Sequence, residues 1–301
     1  MTGSEPKKYR RHNLVYFLIY TFMVLILAAC VFIMCIRLVD FEQSIDEFEQ
    51  AAEIANVPDM SDLVDAYCPD EEATQEFEDI EDTVSDTTAD NTLTQADVYE
   101  IILDRLGLTH IEALQEINPD VVGWIYITAT DISYPILQGE DNDTYLHSSW
   151  TDKTKTLKAG SIFMDSSNSP DFSDFNTIIY GHRMQNETMF GKLKYFRTKD
   201  YWQTHPDVYI VTAEKILRYD IYATYEVSVQ GKTYLIDFDG EESKCEYIDY
   251  TLGMARYDTG VVPTGNDSIL TLITCTASDS SARWAVQAVM REEILRYTNG
   301  E

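Results

Sequence analysis

The 301-residue sequence predicts a mainly β fold, a closed barrel of about eight short strands with N-terminal helices, preceded by one transmembrane helix. Two observations favour this fold: short β-rich runs separated by polar turns fill the C-terminal part, and a long uncharged run lies near the N-terminus. A polar, helix-tolerant segment, residues 240–257, precedes the seventh predicted strand. The predicted strands span residues 122–128, 133–137, 161–164, 177–180, 208–212, 217–229, 269–274 and 283–290.

The uncharged run, residues 14–36, contains 23 residues. A helix of that length reaches roughly 34 Å, which is enough to cross a bilayer. We expect an uncleaved anchor, because the run is longer than the ~7–15 apolar residues of a signal peptide and no small-residue cleavage site follows Ile36. Basic residues precede the run and none lies between Arg37 and Arg105, so the positive-inside rule predicts a cytoplasmic N-terminus and an extracellular C-terminal domain.

Charge and apolar patterning divide the chain into four predicted parts: a cytoplasmic basic flank at 1–13, the transmembrane helix at 14–36, an acidic stalk or linker at 37–93, and a folded domain at 94–301. Between Asp40 and Asp97 there are twenty acidic residues and no basic one. The apolar spacing of residues 41–55 favours a helix that continues from the membrane, and residues 70–91 resemble a self-repelling linker. Thr94 is suited to cap the first helix of the domain, and a second short helix is expected at 110–117.

The part of the chain after residue 37 has 17 Lys and Arg residues against 51 Asp and Glu residues, a net charge of −34. Such a surface disfavours binding to nucleic acid or to anionic lipid. It is compatible with a cationic partner, but we favour the simpler interpretation that it is a solvated surface.

The five cysteines and five histidines lack metal-ligand spacing, so we expect no metal and no cofactor. Cys30 and Cys35 lie in the predicted membrane helix as apolar filler, and a disulfide between Cys68 and Cys245 is compatible with an oxidising exterior without being required by the spacing. Four histidines have no motif around them and are expected at the surface: His12, His110, His147 and His205.

A thiol and an imidazole each end a predicted strand. The run at 271–275 ends on Cys275, the run at 177–180 leads into Gly181-His182, and Arg283 follows the thiol by eight residues. A free thiol is only slightly ionised at neutral pH, so a nucleophilic cysteine needs nearby cations such as an imidazolium and an arginine. Taken singly, Cys275 also suits a small buried hydrophobe and His182 a loop histidine.

Together these motifs resemble the sortase family, and class B sortases in particular. The motifs on which this resemblance rests are Thr271-Leu272-Ile273-Thr274-Cys275, Tyr180-Gly181-His182 and Arg283 at the start of the following strand. The resemblance covers roughly residues 98–298 and includes the stretches 118–125, 134–139, 159–165 and 189–193.

The resemblance implies a sortase-type closed barrel and a role for each site residue. Cys275 is expected to be the nucleophile, His182 the general acid and then base, and Arg283 to stabilise the oxyanion or to hold substrate carbonyls. Weaker candidates for oxyanion or supporting roles are Thr274, the backbone N–H of Thr276, Ser278 and Asp279. The short loop after Cys275 lacks the aromatic residue often seen in the family.

The implied activity is that of a cysteine transpeptidase that cleaves an x-Pro-x-Thr-x sorting signal of a surface protein after Thr and joins it to a peptidoglycan amine. The implied partners are that peptide, the amine and the membrane through residues 14–36, with no nucleic acid. Three alternatives remain: a membrane-anchored thiol hydrolase, an inactive surface binding module, and pilus assembly with a lysine acceptor. The first differs only in the acceptor of the acyl group, and the intact Cys, His and Arg disfavour the second.

Overall fold

The computed structural model describes residues 7–60, 63, 94–275 and 282–296. The chain forms two compact units, one up to Asp46 and one from Glu47 onward. The helices are α1 (Lys7–Ile54), α2 (Gln95–Gly107), α3 (Ile111–Gln115), α4 (Lys199–Thr204) and α5 (Glu241–Met254), with 3-10 helices at Gly191–Arg197 and Lys232–Tyr234.

Eight strands close into a barrel in the order β1-β2-β3-β4-β7-β8-β6-β5, which confirms the predicted fold class. Two neighbouring pairs, β2–β3 and β4–β7, are parallel, and the other paired strands are antiparallel. The strands are β1 (Val121–Ile127), β2 (Ser133–Leu137), β3 (Ile162–Met164), β4 (Asn176–His182), β5 (Asp207–Val211), β6 (Lys215–Ser228), β7 (Ile269–Cys275) and β8 (Ala282–Leu295).

The strands of the β4–β7–β8–β6 side are apolar on both faces. One face belongs to the main core, and the other belongs to a second apolar cluster that includes Ile178, Ile273, Ala285 and Tyr225. Because side chains alternate across a strand, residues of the second cluster lie on the outer face of the barrel. Residues of α5, Tyr247 and Ile248, are buried there, so the connection between β6 and β7 covers this outer face.

The N-terminal helix carries a segment of 21 residues, Tyr16–Ile36, that is long and apolar enough to cross a membrane. α1 continues to Ile54, as the spacing of residues 41–55 predicts. Its last turns belong to the unit that contains the barrel, where Ala51 and Ala55 are fully buried. The Glu47 carbonyl accepts a hydrogen bond of 2.9 Å from the Trp150 indole N–H.

The helices α2, α3 and α5 lie where the sequence predicts helices. The Thr94 hydroxyl accepts a hydrogen bond from the Asp97 N–H at 3.2 Å, and the Asp97 carboxylate accepts one from the Thr94 N–H at 2.9 Å, which is a capping box at the start of α2. α3 lies within the predicted range 110–117, and α5 lies within 240–257.

The region between β4 and β5 differs from the expectation. It forms a 3-10 helix and α4, which are too short for a periodic apolar pattern to indicate. His205 follows α4 and is buried, so its predicted surface position is wrong. Its ring stacks on Tyr201, with 3.8 Å between ring centroids, and burial lowers the pKa of its imidazole.

Candidate active site

The strands β4 and β7 end side by side on His182 and Cys275. The two strands run parallel, and their register pairs Tyr180 with Ile273 and His182 with Cys275. Neighbouring strands lie about 4.8 Å apart, so the two positions are adjacent across the sheet. The chain places them 93 positions apart in sequence, and the parallel pairing is what brings them together.

Arg283 joins this pair from the start of β8. The β7–β8 register pairs Ile273 with Ala285 in antiparallel sense, and two further steps of the same register bring position 275 opposite Arg283. The intervening step is bridged by Thr274, whose hydroxyl accepts a hydrogen bond of 3.0 Å from the Trp284 N–H. Thr274 is therefore a buried residue that fastens the start of β8 to the end of β7.

The positions of His182, Cys275 and Arg283 lie side by side across β4, β7 and β8 and form the last row of the outer face. The row below it contains Tyr180, Ile273, Ala285 and Tyr225, which pair in sequence across β4, β7, β8 and β6. These side chains are mostly apolar, and all but Tyr180 are buried. The row therefore lies next to a packed apolar layer.

His182 is buried, with 4% of its side chain exposed. Its Nε2 lies 2.7 Å from the Leu146 carbonyl oxygen. The ring of His147, which is exposed as predicted, lies 6.0 Å from the His182 ring between centroids. Its proximity to His182 was not apparent from the sequence.

Gly181 allows β4 to carry His182 at this position. A Cβ atom at Gly181 would lie 2.4 Å from Ile162 Cδ1 and 2.7 Å from the Phe190 ring. The Phe190 N–H in turn donates a hydrogen bond of 3.0 Å to the His182 carbonyl. The close approach of Phe190 and Ile162 therefore requires a glycine immediately before the histidine.

A buried polar network connects the outer face to α5. Gln287 on β8 is fully buried; its Oε1 accepts hydrogen bonds from the hydroxyls of Tyr222 at 2.9 Å and Tyr225 at 3.1 Å. Its Nε2 donates to Tyr247 Oη at 2.7 Å and to Thr271 Oγ1 at 2.9 Å. Because Tyr247 belongs to α5, this side chain ties the covering helix to the strands that carry Cys275 and Arg283.

Several predicted site residues fall outside the described part of the chain: Thr276, Ser278 and Asp279. Cys275 is described through its backbone position at the end of β7. The pairing of Cys68 with Cys245 falls on Cys68, which also lies outside the described residues, and Cys245 is an exposed free thiol on α5. Sequence reasoning gave no role to Leu146 or Gln287, because a backbone carbonyl and a single glutamine do not reveal their partners.

Comparison with known proteins agrees with this geometry. A family model for the sortase domain matches residues 125–291. Sortase B of Listeria monocytogenes is 38% identical over 162 residues, which cover 54% of this chain and 65% of the relative. Sortase B of Staphylococcus aureus is 30% identical over 164 residues, which cover 54% of this chain and 66% of the relative. The matched part thus spans just under two thirds of the length of either relative.

Solved structures give the same result. The structure of a Staphylococcus aureus sortase B–substrate complex matches with a TM-score of 0.58 and 29% identity, over 61% of this chain and 85% of the other. The barrel with a strand-end Cys, His and Arg row defines a sortase domain, and the chain belongs to the sortase family. Its relatives and structural neighbours are class B sortases.

Proposed function

We propose that this protein is a membrane-anchored cysteine transpeptidase that cleaves an x-Pro-x-Thr-x sorting signal after Thr and transfers the acyl group to a peptidoglycan amine. The observation that supports this proposal most directly is the row formed by His182, Cys275 and, by continuation of the register, Arg283. A thiol next to an imidazole and a guanidinium is the arrangement that acyl transfer through a thioester needs.

In the first half of the reaction, the Cys275 thiolate attacks the Thr carbonyl carbon of the signal. The new C–S bond displaces the carbonyl π electrons onto oxygen, and Arg283 stabilises this oxyanion or holds neighbouring substrate carbonyls. The oxyanion then collapses and the C–N bond breaks. His182, as imidazolium, gives its proton to the departing amine, which leaves a thioester on Cys275.

In the second half, the acceptor amine attacks the thioester carbon. Neutral His182 takes the proton of the attacking amine, the C–S bond breaks, and the thiolate returns beside an imidazolium. The same side chain is therefore acid and then base. Water as acceptor would give hydrolysis instead, so the outcome depends on which nucleophile reaches the thioester.

The membrane anchor favours substrates held at the same surface. The apolar helix Tyr16–Ile36 and the basic flank before it support a cytoplasmic N-terminus and an extracellular catalytic domain. A sorting signal followed by its own hydrophobic tail would meet this domain in the plane of the membrane. A tether of this kind raises the effective concentration of enzyme and substrate.

The test uses a soluble chain that begins at residue 38, a library of x-Pro-x-Thr-x peptides and an added amine. We expect mass spectrometry to find a peptide cleaved after Thr and joined to the amine, and we expect no ligated product from the Cys275→Ala variant. The variant should keep the far-ultraviolet circular dichroism spectrum of the parent, because one strand-end side chain is shortened.

Ligated product from folded Cys275→Ala would contradict the thioester mechanism. Hydrolysed peptide that stays the main product at every amine concentration would favour the thiol hydrolase. If the folded parent neither cleaves nor ligates any peptide, that result would favour the inactive binding module.

A further inference from the structure

The Leu146 carbonyl oxygen is a hydrogen-bond partner of His182. A carbonyl oxygen only accepts hydrogen bonds, so the contact of 2.7 Å requires the proton to be on His182 Nε2. Proton exchange with the reacting groups is then assigned to Nδ1. A base held by a third group in this way is the general arrangement of a nucleophile–base–orienter site.

The backbone around Leu146 is fixed on both sides. The Tyr145 carbonyl accepts a hydrogen bond of 2.9 Å from the Ser161 N–H, and the His147 carbonyl accepts one of 2.8 Å from the Leu157 N–H. The Tyr145 ring is fully buried, and its hydroxyl donates to the Asp120 carboxylate at 2.6 Å. The carbonyls flanking Leu146 are thus engaged within the segment between β2 and β3, while the Leu146 carbonyl bonds to β4.

Gly160 is the residue that makes room for this carbonyl. Its φ is +57°, in the left-handed region that favours glycine. A Cβ atom there would lie 2.4 Å from the Leu146 oxygen, 2.8 Å from the Leu146 carbonyl carbon and 2.9 Å from the Tyr145 oxygen. All three atoms belong to the backbone, so the clash cannot be relieved by turning a side chain.

We propose that the Leu146 carbonyl acts as the orienting acceptor for His182 and that Gly160 is the positioning residue that keeps this carbonyl in place. The proposal rests on the proposed role of His182 in acyl transfer. The bond to a carbonyl stabilises the imidazolium, and therefore also the thiolate that pairs with it. Loss of this hydrogen bond should therefore lower the populations of both the imidazolium and the thiolate.

The first test compares Gly160→Ala with Gly260→Ala. Gly260 also has a positive φ, +78°, but nothing lies within 4 Å of the Cβ position, so this control adds the same backbone strain without the contact. The readout is the rate of Cys275 alkylation by iodoacetamide between pH 5 and 9 on the chain that begins at residue 38. Cys68 and Cys245 are both replaced by serine throughout, so that Cys275 is the one cysteine left in the sequence of this chain.

We expect the pH midpoint of alkylation to rise in Gly160→Ala and the rate at neutral pH to fall about tenfold, the size of a hydrogen bond to a charged group. Gly260→Ala should react like the parent. With the signal peptide, Gly160→Ala should lower kcat more than it raises KM. An unchanged alkylation profile in a folded Gly160→Ala variant would overturn the proposal.

A second test needs no variant at position 160. Nitrogen-15 NMR of the parent, with His182→Gln and His147→Gln variants to assign the two neighbouring rings, identifies the protonated nitrogen of His182. The proposal requires the proton of the neutral ring on Nε2, and a proton on Nδ1 would refute it. Neither alkylation nor NMR uses substrate, so a correct tautomer in a chain that ligates nothing would leave this inference standing and reject the proposed function.

Discussion

His182 and Arg283 are held in different ways. The histidine is buried beside Gly181 and bonded to the Leu146 carbonyl, so its ring orientation is determined by packing. The arginine is partly exposed at the start of β8, and its Nη1 donates a hydrogen bond of 3.2 Å to the neighbouring Ala282 carbonyl. A long, partly exposed side chain near the start of a strand can reorient more readily than a buried ring when a substrate carbonyl arrives. The imidazole is therefore the preorganised member of the site.

This difference leads to a prediction for Arg283→Lys. Lysine keeps the positive charge but loses the planar fork of donors, so a guanidinium that stabilises the oxyanion should not be replaced by it. We expect kcat to fall roughly 100-fold with KM nearly unchanged, the loss seen when an oxyanion donor is removed. Steady-state kinetics with peptide and amine measure this.

The opposite change in the two constants would give Arg283 a different role. A higher KM with unchanged kcat would assign Arg283 to binding of the substrate backbone. Lys199→Arg is a suitable control, because Lys199 is an exposed cation at the start of α4. It should leave both constants unchanged.

At the scale of secondary-structure elements, Gln287 is one of several links between α5 and the barrel. The others include the hydrogen bond between Tyr222 and Thr251 and the buried side chains of Tyr247 and Ile248. Gln287 uses both atoms of its amide on four partners, three of which are tyrosine hydroxyls on β6 and α5. Burial raises the pKa of Tyr222 and Tyr225 well above the usual phenol value, so both remain protonated donors. The outer face next to the row of His182, Cys275 and Arg283 is thus held by a hydrogen-bond network in which each member depends on the others.

We expect Gln287→Leu to lower the free energy of unfolding by about 2–4 kcal/mol. Leucine removes the hydrogen bonds of the amide to Tyr222, Tyr225, Tyr247 and Thr271, each of which contributes about 0.5–1.5 kcal/mol. The three tyrosine hydroxyls keep their other partners. Urea unfolding measures the loss, and amide hydrogen exchange should quicken in residues 241–254. Gln203→Leu, at an exposed position of α4, is the control and should change stability by less than about 0.5 kcal/mol. Equal stability of Gln287→Leu and the parent would mean that the network does not secure α5.

The sequence predicts these elements better than it predicts their contacts. Short β-rich runs bounded by polar turns place all eight strands close to their observed bounds, with the largest difference at the end of β8, because such residues suit a buried strand. It does not predict that β4 pairs with β7 in parallel, because register depends on long-range packing. The Cys, His and Arg of the site are visible through their motifs, whereas the contribution of Leu146 comes from a backbone carbonyl that every residue type has.

At the scale of the whole molecule, the last turns of α1 belong to the unit that contains the barrel. Ala51 and Ala55 are fully buried, and Phe48 packs edge-on against the Tyr134 ring at 5.3 Å. The Glu47 carboxylate accepts a hydrogen bond of 2.5 Å from the Ser149 hydroxyl and forms an ion pair with Lys155. Ser149 and Lys155 lie in the same segment as Leu146. Part of the acidic region, from Glu47 onward, therefore supports the segment that contains Leu146.

We expect a chain that begins at residue 94 to be less stable than one that begins at residue 38. Removing residues 38–93 deletes five buried side chains from the core: Phe48, Ala51, Ala55, Met60 and Leu63. The loss of this buried apolar area should lower the free energy of unfolding by about 3–6 kcal/mol. It also removes the partners of Ser149, Trp150 and Lys155, so the segment that carries Leu146 should loosen. Thermal unfolding and iodoacetamide alkylation of Cys275 measure the two effects.

Glu47→Gln in the longer chain separates the ion pair from the packing. The variant keeps the backbone carbonyl that accepts from Trp150 and loses only charge, so its stability should fall by about 1 kcal/mol or less, because Lys155 is partly exposed. If the chain from residue 94 unfolds at the same temperature as the chain from residue 38, the buried end of α1 contributes nothing to the domain. If it unfolds earlier but alkylates with an unchanged pH profile, the segment that carries Leu146 holds His182 without help from α1.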